Sequence, residues 1–138
     1  MDRITADIYM GDIADAGNAE WLEEGSPTAV LKLSHSDPET PYPDAVTVRD
    51  APMIDGPQND YEDFATAAEA MLDLLGDHTV FVHCRAGISR SSSVTAAALA
   101  VRRDIPVGEA VDLIREGRPR IHPHPHLREQ AERFVETR

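Results

Sequence analysis

Cysteine occurs once in these 138 residues, at Cys84, and lysine once, at Lys32. A single cysteine cannot close an intramolecular disulfide or build a multi-cysteine metal site. Aromatic residues make up 5% of the chain, and no apolar run reaches the ~18 residues of a membrane span. Residues Met1 to Asp7 have neither a basic head nor an apolar stretch, so they do not read as a secretory signal. Positive charge is scarce as well. Lysine and arginine total 13 against 25 acidic residues, leaving a net charge of −12, and all the basic residues but Lys32 are arginine. Such a surface repels nucleic acid as a whole. An acidic, lysine-poor composition is expected of a salt-accumulating microbe, whose cytoplasm screens the self-repulsion.

What is present describes one ordinary domain over residues 1–138, with 41% hydrophobic and 28% charged residues. Short strands are expected at Ala6–Met10, Thr28–Leu33 and Ala45–Arg49, and a buried one at Thr79–Val82. Asn18 can cap a short helix through Glu24 that Gly25 stops. Helical spacing runs from Tyr61 to Leu75, from about Ser91 to Arg103, from Val107 to Glu116, and again through Leu127, Ala131 and Phe134. Pro119, Pro123 and Pro125 read as an extended link. Alternating strands and helices predict an α/β layered fold, a mostly parallel twisted sheet flanked by helices.

The sharpest feature is Val82-His83-Cys84-Arg85-Ala86-Gly87-Ile88-Ser89-Arg90-Ser91. A buried strand runs into a short loop that opens onto a helix N-terminus, where unpaired amides and the helix dipole favour an anion. A loop of small residues can turn its amides inward as a nest. Gly87 permits a backbone shape that a side chain would oppose. Arg90 supplies a planar fork for two phosphate oxygens. The surroundings that attract phosphate also favour a thiolate at Cys84, which makes it a nucleophile. Without that context, Cys84 would read as a small buried hydrophobe and His83 as a strand-end histidine holding the loop.

His83-Cys84, five residues, then Arg90-Ser91 resembles the signature of protein tyrosine phosphatases, and Ala86 to Ser91 is similar to its dual-specificity branch. Ile8 to Asp12, Val46 to Asp50 and Pro123 to Gln130 are similar to other parts of small dual-specificity phosphatases, in the same order. The resemblance implies a cysteinyl-phosphate mechanism without metal or cofactor. Cys84 is then the nucleophile, and Arg85, Ala86, Gly87, Ile88, Ser89 and Arg90 hold the phosphate. His83 supports the loop, and Ser91 helps sulfur leave or simply caps the helix. A shallow cleft would admit phosphotyrosine and phosphoserine or phosphothreonine of phosphoproteins, and a cytoplasmic monomer is expected. A phosphorylated metabolite, an RNA 5′ phosphate or phosphate binding without turnover are the alternatives.

A general acid must protonate the departing oxygen. Asp50 lies 34 residues before Cys84 and Asp55 lies 29 before it, and the family's spacing falls between them. Context favours Asp50, directly after the Val46/Val48 strand. Asp60 and Asp63 read as charges at a helix start. His122, His124 and His126 alternate with prolines that fan them apart, so no metal is assigned. Arg102, Arg103, Arg118 and Arg120 are expected on the surface, solvated or ion-paired.

Overall fold

The computed structural model describes residues 1–18 and 27–138, and the helix expected from Asn18 to Glu24 lies largely outside them. Among the described residues five strands form one sheet: β1 (Asp2–Thr5), β2 (Ile8–Gly11), β3 (Ala29–Lys32), β4 (Thr47–Asp50) and β5 (Val80–His83). Their spatial order is β1-β2-β5-β3-β4. The β2–β5, β5–β3 and β3–β4 pairs are parallel, and only the β1–β2 hairpin is antiparallel. The sheet is therefore mixed but mostly parallel, as the alternation of elements requires. β1 escapes the sequence reading because it is polar and half exposed, an edge strand with no alternating apolar face.

Among the described residues the helices are α1 (Ile13–Ala16), α2 (Tyr61–Leu75), α3 (Arg90–Arg103), α4 (Val107–Gly117) and α5 (Pro125–Glu136). Pro125, expected in a link, is the first residue of α5, where its missing N–H costs nothing. Helix α3 is the central one. Its residues 91 to 100 are all buried, and it packs on α2, α4 and α5. Its small serines and alanines let these neighbours approach closely.

The two faces of the sheet differ. Leu31, Leu33, Val80, Val82 and Cys84 share the large core with the long helices. Val30 and Phe81 point the other way, into a small cluster with Ala16 that Tyr9, Tyr42 and Val46 flank. This is the two-residue alternation of a strand, and it decides which side chains can meet at the carboxyl end of the sheet.

Candidate active site

Cys84 follows β5 at the carboxyl edge of the sheet, and residues 84–89 lead directly into α3. Six consecutive carbonyls of this loop are held from outside. The Cys84 carbonyl meets His83 Nδ1 at 3.2 Å, and that of Arg85 accepts from the Ile13 amide at 3.0 Å. Ala86 and Gly87 accept from the Arg118 guanidinium at 3.3 and 2.8 Å. Ile88 accepts from the His122 amide at 3.0 Å and Ser92 Oγ at 2.6 Å, and Ser89 from Ser93 Oγ at 2.7 Å. In a planar trans peptide the N–H points opposite to the C=O. A loop whose carbonyls all turn outward presents its amides inward, as an anion nest.

Cys84 sits at the base of this nest, only 2% exposed, and Sγ accepts from the Gly87 amide at 3.3 Å. Gly87 has φ +66°, and a Cβ there would collide with the Gly11 carbonyl and stand 2.8 Å from Arg118. Only glycine fits that shape and that space. Arg90 Nη1 donates to the Met53 carbonyl at 3.1 Å, while its buried Nε has no partner among the described residues. An unpaired buried donor of a guanidinium costs ~1–3 kcal/mol, which a phosphate oxygen would relieve. Ser91 Oγ is buried and likewise unpartnered among the described residues.

His83 is fully buried and stacked on Phe81 at 5.5 Å. Burial holds its pKa below the ordinary histidine value, and the nearby Lys32 charge adds to this against an opposing hydrogen bond to the Cys84 carbonyl. The ring is therefore neutral. A carbonyl can only accept, so Nδ1 carries the proton and Nε2 accepts from Tyr42 Oη at 2.6 Å. The Tyr42 hydroxyl suits that donor role. Burial, with Asp37 and Asp50 nearby, raises its pKa well above the usual tyrosine range.

The cleft above Cys84 measures about 500 Å³ and is lined by Asp55, Arg85, Ala86, Ile88, Ser89, Arg90, His122, His124 and Pro125. Asp55 lines it and Asp50 does not. Asp50 ends β4 opposite Lys32, which lies opposite His83. These three share the parity of Val30 and Phe81, so they belong to the sheet face away from Cys84. The Asp50 carboxylate instead stands 3.5 Å from Lys32 Nζ, which Asp37 also meets at 3.1 Å. Pleat parity thus turns Asp50, the acid the sequence favours, away from the cleft. The chain continues beside β3 past the strand, through the Ala51 and Met53 amides bonded to the Lys32 and Leu33 carbonyls. Ala51 and Met53 are buried in the large core, and Asp55, exposed beyond them, lines the cleft.

Asn59, which the sequence did not single out, holds the segment that carries Asp55. Asn59 is 3% exposed, and its Oδ1 accepts from the Ile54 amide at 2.9 Å. Its Nδ2 donates to Gln130 Oε1 at 3.0 Å, and Gln130 Nε2 returns a bond to the Asn59 carbonyl at 2.7 Å. Two of the three histidines have structural tasks: His124 Nδ1 caps α5 by accepting from the His126 amide at 3.1 Å, and His126 Nε2 meets the Asn59 carbonyl at 3.1 Å. Asp60 is the N-cap residue of α2 and Asp63 lies in its first turn. Arg118 departs from expectation. It is ion-paired, to Asp2 at 2.7 Å, but 2% exposed and wedged beneath the loop.

Residues 8–135 match the family model of the dual specificity phosphatase catalytic domain. A MAP kinase phosphatase with leucine-rich repeats from Dictyostelium discoideum (protein 2) is 31% identical over 96% of this chain. The match spans 19% of that relative's length. Dual specificity protein phosphatase 1B of Arabidopsis thaliana is 25% identical, over 99% of this chain and 83% of its own. In fold, the crystal structure of human DUSP28 superimposes with a TM-score of 0.85 at 23% identity, covering 99% of this chain and 96% of that one. With a family model spanning nearly its whole length, the chain belongs to the dual specificity phosphatase catalytic-domain family.

Proposed function

We propose that the protein hydrolyses phosphate monoesters of phosphoproteins, phosphotyrosine as well as phosphoserine or phosphothreonine, through a cysteinyl-phosphate. The observation that carries this reading is the nest of residues 84–89, six carbonyls turned away from a cleft with one sulfur at its base. In the first step the Cys84 thiolate attacks phosphorus in line, and the bond to the ester oxygen breaks as Asp55 protonates that oxygen. In the second, the Asp55 carboxylate takes a proton from water, which attacks phosphorus and releases Cys84 as thiolate and orthophosphate. Arg90 and the loop amides hold the equatorial oxygens in both steps. Ser91 Oγ, buried beside the loop, is available to hydrogen-bond the departing sulfur.

Asp55 takes the acid role because it lines the cleft, whereas Asp50 faces Lys32 across the sheet. The test is turnover of an aryl phosphate by wild type and Cys84→Ser. Wild type should turn over, and the variant should lose activity while still binding orthophosphate. Hydrolysis that survives in Cys84→Ser would overturn the covalent mechanism.

The acidic surface supports a companion proposal, a cytoplasmic monomer adapted to high salt. The net charge of −12 repels itself in dilute buffer and is screened as the Debye length falls from about 30 Å at 0.01 M to about 3 Å at 1 M. Melting temperature and activity should both rise toward molar potassium chloride. A flat response in both would remove this proposal without touching the chemistry.

A further inference from the structure

Arg118 follows α4 and is 2% exposed, yet it is absent from the residues lining the cleft. It reaches the loop from behind. Nε donates to the Gly87 carbonyl at 2.8 Å, Nη2 to the Ala86 carbonyl at 3.3 Å, and Nη1 to Asp2 Oδ2 at 2.7 Å. Two of these acceptors are consecutive peptides of the nest. Turning the Ala86 carbonyl outward turns the Gly87 amide inward, where it meets Cys84 Sγ. Turning the Gly87 carbonyl outward does the same for the Ile88 amide. The left-handed conformation of Gly87 joins the two peptides, and its α-carbon packs against the guanidinium too closely for a side chain. Asp2 answers the buried charge from the far side, as a buried guanidinium requires.

We propose that Arg118 is a positioning residue of the phosphate cradle. Its three-way fork fixes the Ala86–Gly87 and Gly87–Ile88 peptides, and so sets how tightly the cleft holds an oxyanion and the Cys84 thiolate. Lysine cannot reproduce this, since one ammonium does not match three acceptors spread in a plane. The proposal rests on the phosphatase reading of the cleft.

The test compares wild type, Arg118→Ala and Arg118→Lys by three readouts. These are orthophosphate affinity by calorimetry, kcat/KM on an aryl phosphate, and alkylation of Cys84 by anionic iodoacetate relative to neutral iodoacetamide. Losing two bonds from a charged donor should weaken orthophosphate binding about tenfold or more in folded Arg118→Ala. The preference for iodoacetate should fall with it. Millimolar guanidinium chloride should restore part of both in Arg118→Ala and have no such effect on wild type, which a merely structural defect would not reproduce. Arg118→Lys should recover only part of the affinity. If Arg118→Ala does not fold, Arg118→Lys carries the test with the same readouts. Unchanged orthophosphate affinity and unchanged reagent preference in either folded variant would overturn the proposal. Failure of the phosphatase reading is distinguishable. Wild type would then show no turnover dependent on Cys84, while orthophosphate affinity and alkylation would still report on Arg118.

Discussion

The two walls of the cleft are built differently. The loop of residues 84–89 is held through its own backbone, each carbonyl bonded from outside by a neighbouring element. The facing segment, residues 51–59, is held by fewer and longer levers. Ala51 and Met53 are anchored in the core, Met53 bonds Arg90, and Asn59 is locked to Gln130. The first wall must keep several amides converged on one small anion, so its geometry is fixed peptide by peptide. The second need only deliver one carboxyl to the rim, and a buried side-chain amide pair is enough. The difference predicts that damage to the loop removes chemistry, whereas damage to the Asp55 segment changes how chemistry depends on the leaving group.

The sharpest way to break this comparison is to neutralise each candidate acid in turn. Asp55→Asn should slow alkyl phosphates roughly 10²–10³-fold, and aryl phosphates with good leaving groups far less, because those need little protonation. Asp50→Asn should leave this pattern unchanged, since it removes only an exposed partner of Lys32. Steady-state rates across a leaving-group series decide it. The opposite pattern would return the acid role to Asp50.

A smaller effect is expected from Gln130→Ala, which leaves the buried Asn59 amide short of its partner at 3.0 Å. Stability should fall by about 1–3 kcal/mol. Turnover of alkyl phosphates should fall several-fold while orthophosphate affinity holds. Thermal unfolding and the same leaving-group series check both. A parallel loss of phosphate affinity would mean that the two walls are not separately held.

The smallest effect concerns His83 and pH. Its pKa is lowered in the folded protein, chiefly by burial. The unfolded chain therefore binds the proton first, near pH 6.5, and that difference removes stability as pH falls below it. His83→Asn keeps a donor near the Cys84 carbonyl but loses the bond to Tyr42, at a cost of about 1 kcal/mol. It should also flatten the fall in denaturation midpoint between pH 7.5 and 5.5. An equally steep fall in the variant would show that other groups set that slope.

The loop was legible because its own residue types are the chemistry. A cysteine, a glycine and an arginine at fixed spacing, set between an apolar strand and a helix, spell out an anion site with a nucleophile at its base. The long helices were legible for the usual reason, that apolar spacing follows the helical period. The polar edge strand β1 was not, since its pairing with β2 depends on a neighbour rather than on its own pattern. The choice between the two aspartates was legible only in part: Asp50 shares the parity of Val46 and Val48, so alternation could have turned it from the core face, but Asp55 lies beyond β4, where no strand period holds.

Sequence by itself therefore determined the small-residue loop with its cysteine and arginine, the four long helices and the acidic character of the surface, all properties of residues close together along the chain. Only the tertiary structure decided which aspartate overlooks the sulfur, that Asn59 finds Gln130 across 71 residues, and that Arg118 and Asp2 meet beneath Ala86 and Gly87. Those contacts join segments far apart in the chain. Their geometry is set by strand order and by the packing of helices on α3, and neither is written in any local stretch of residues.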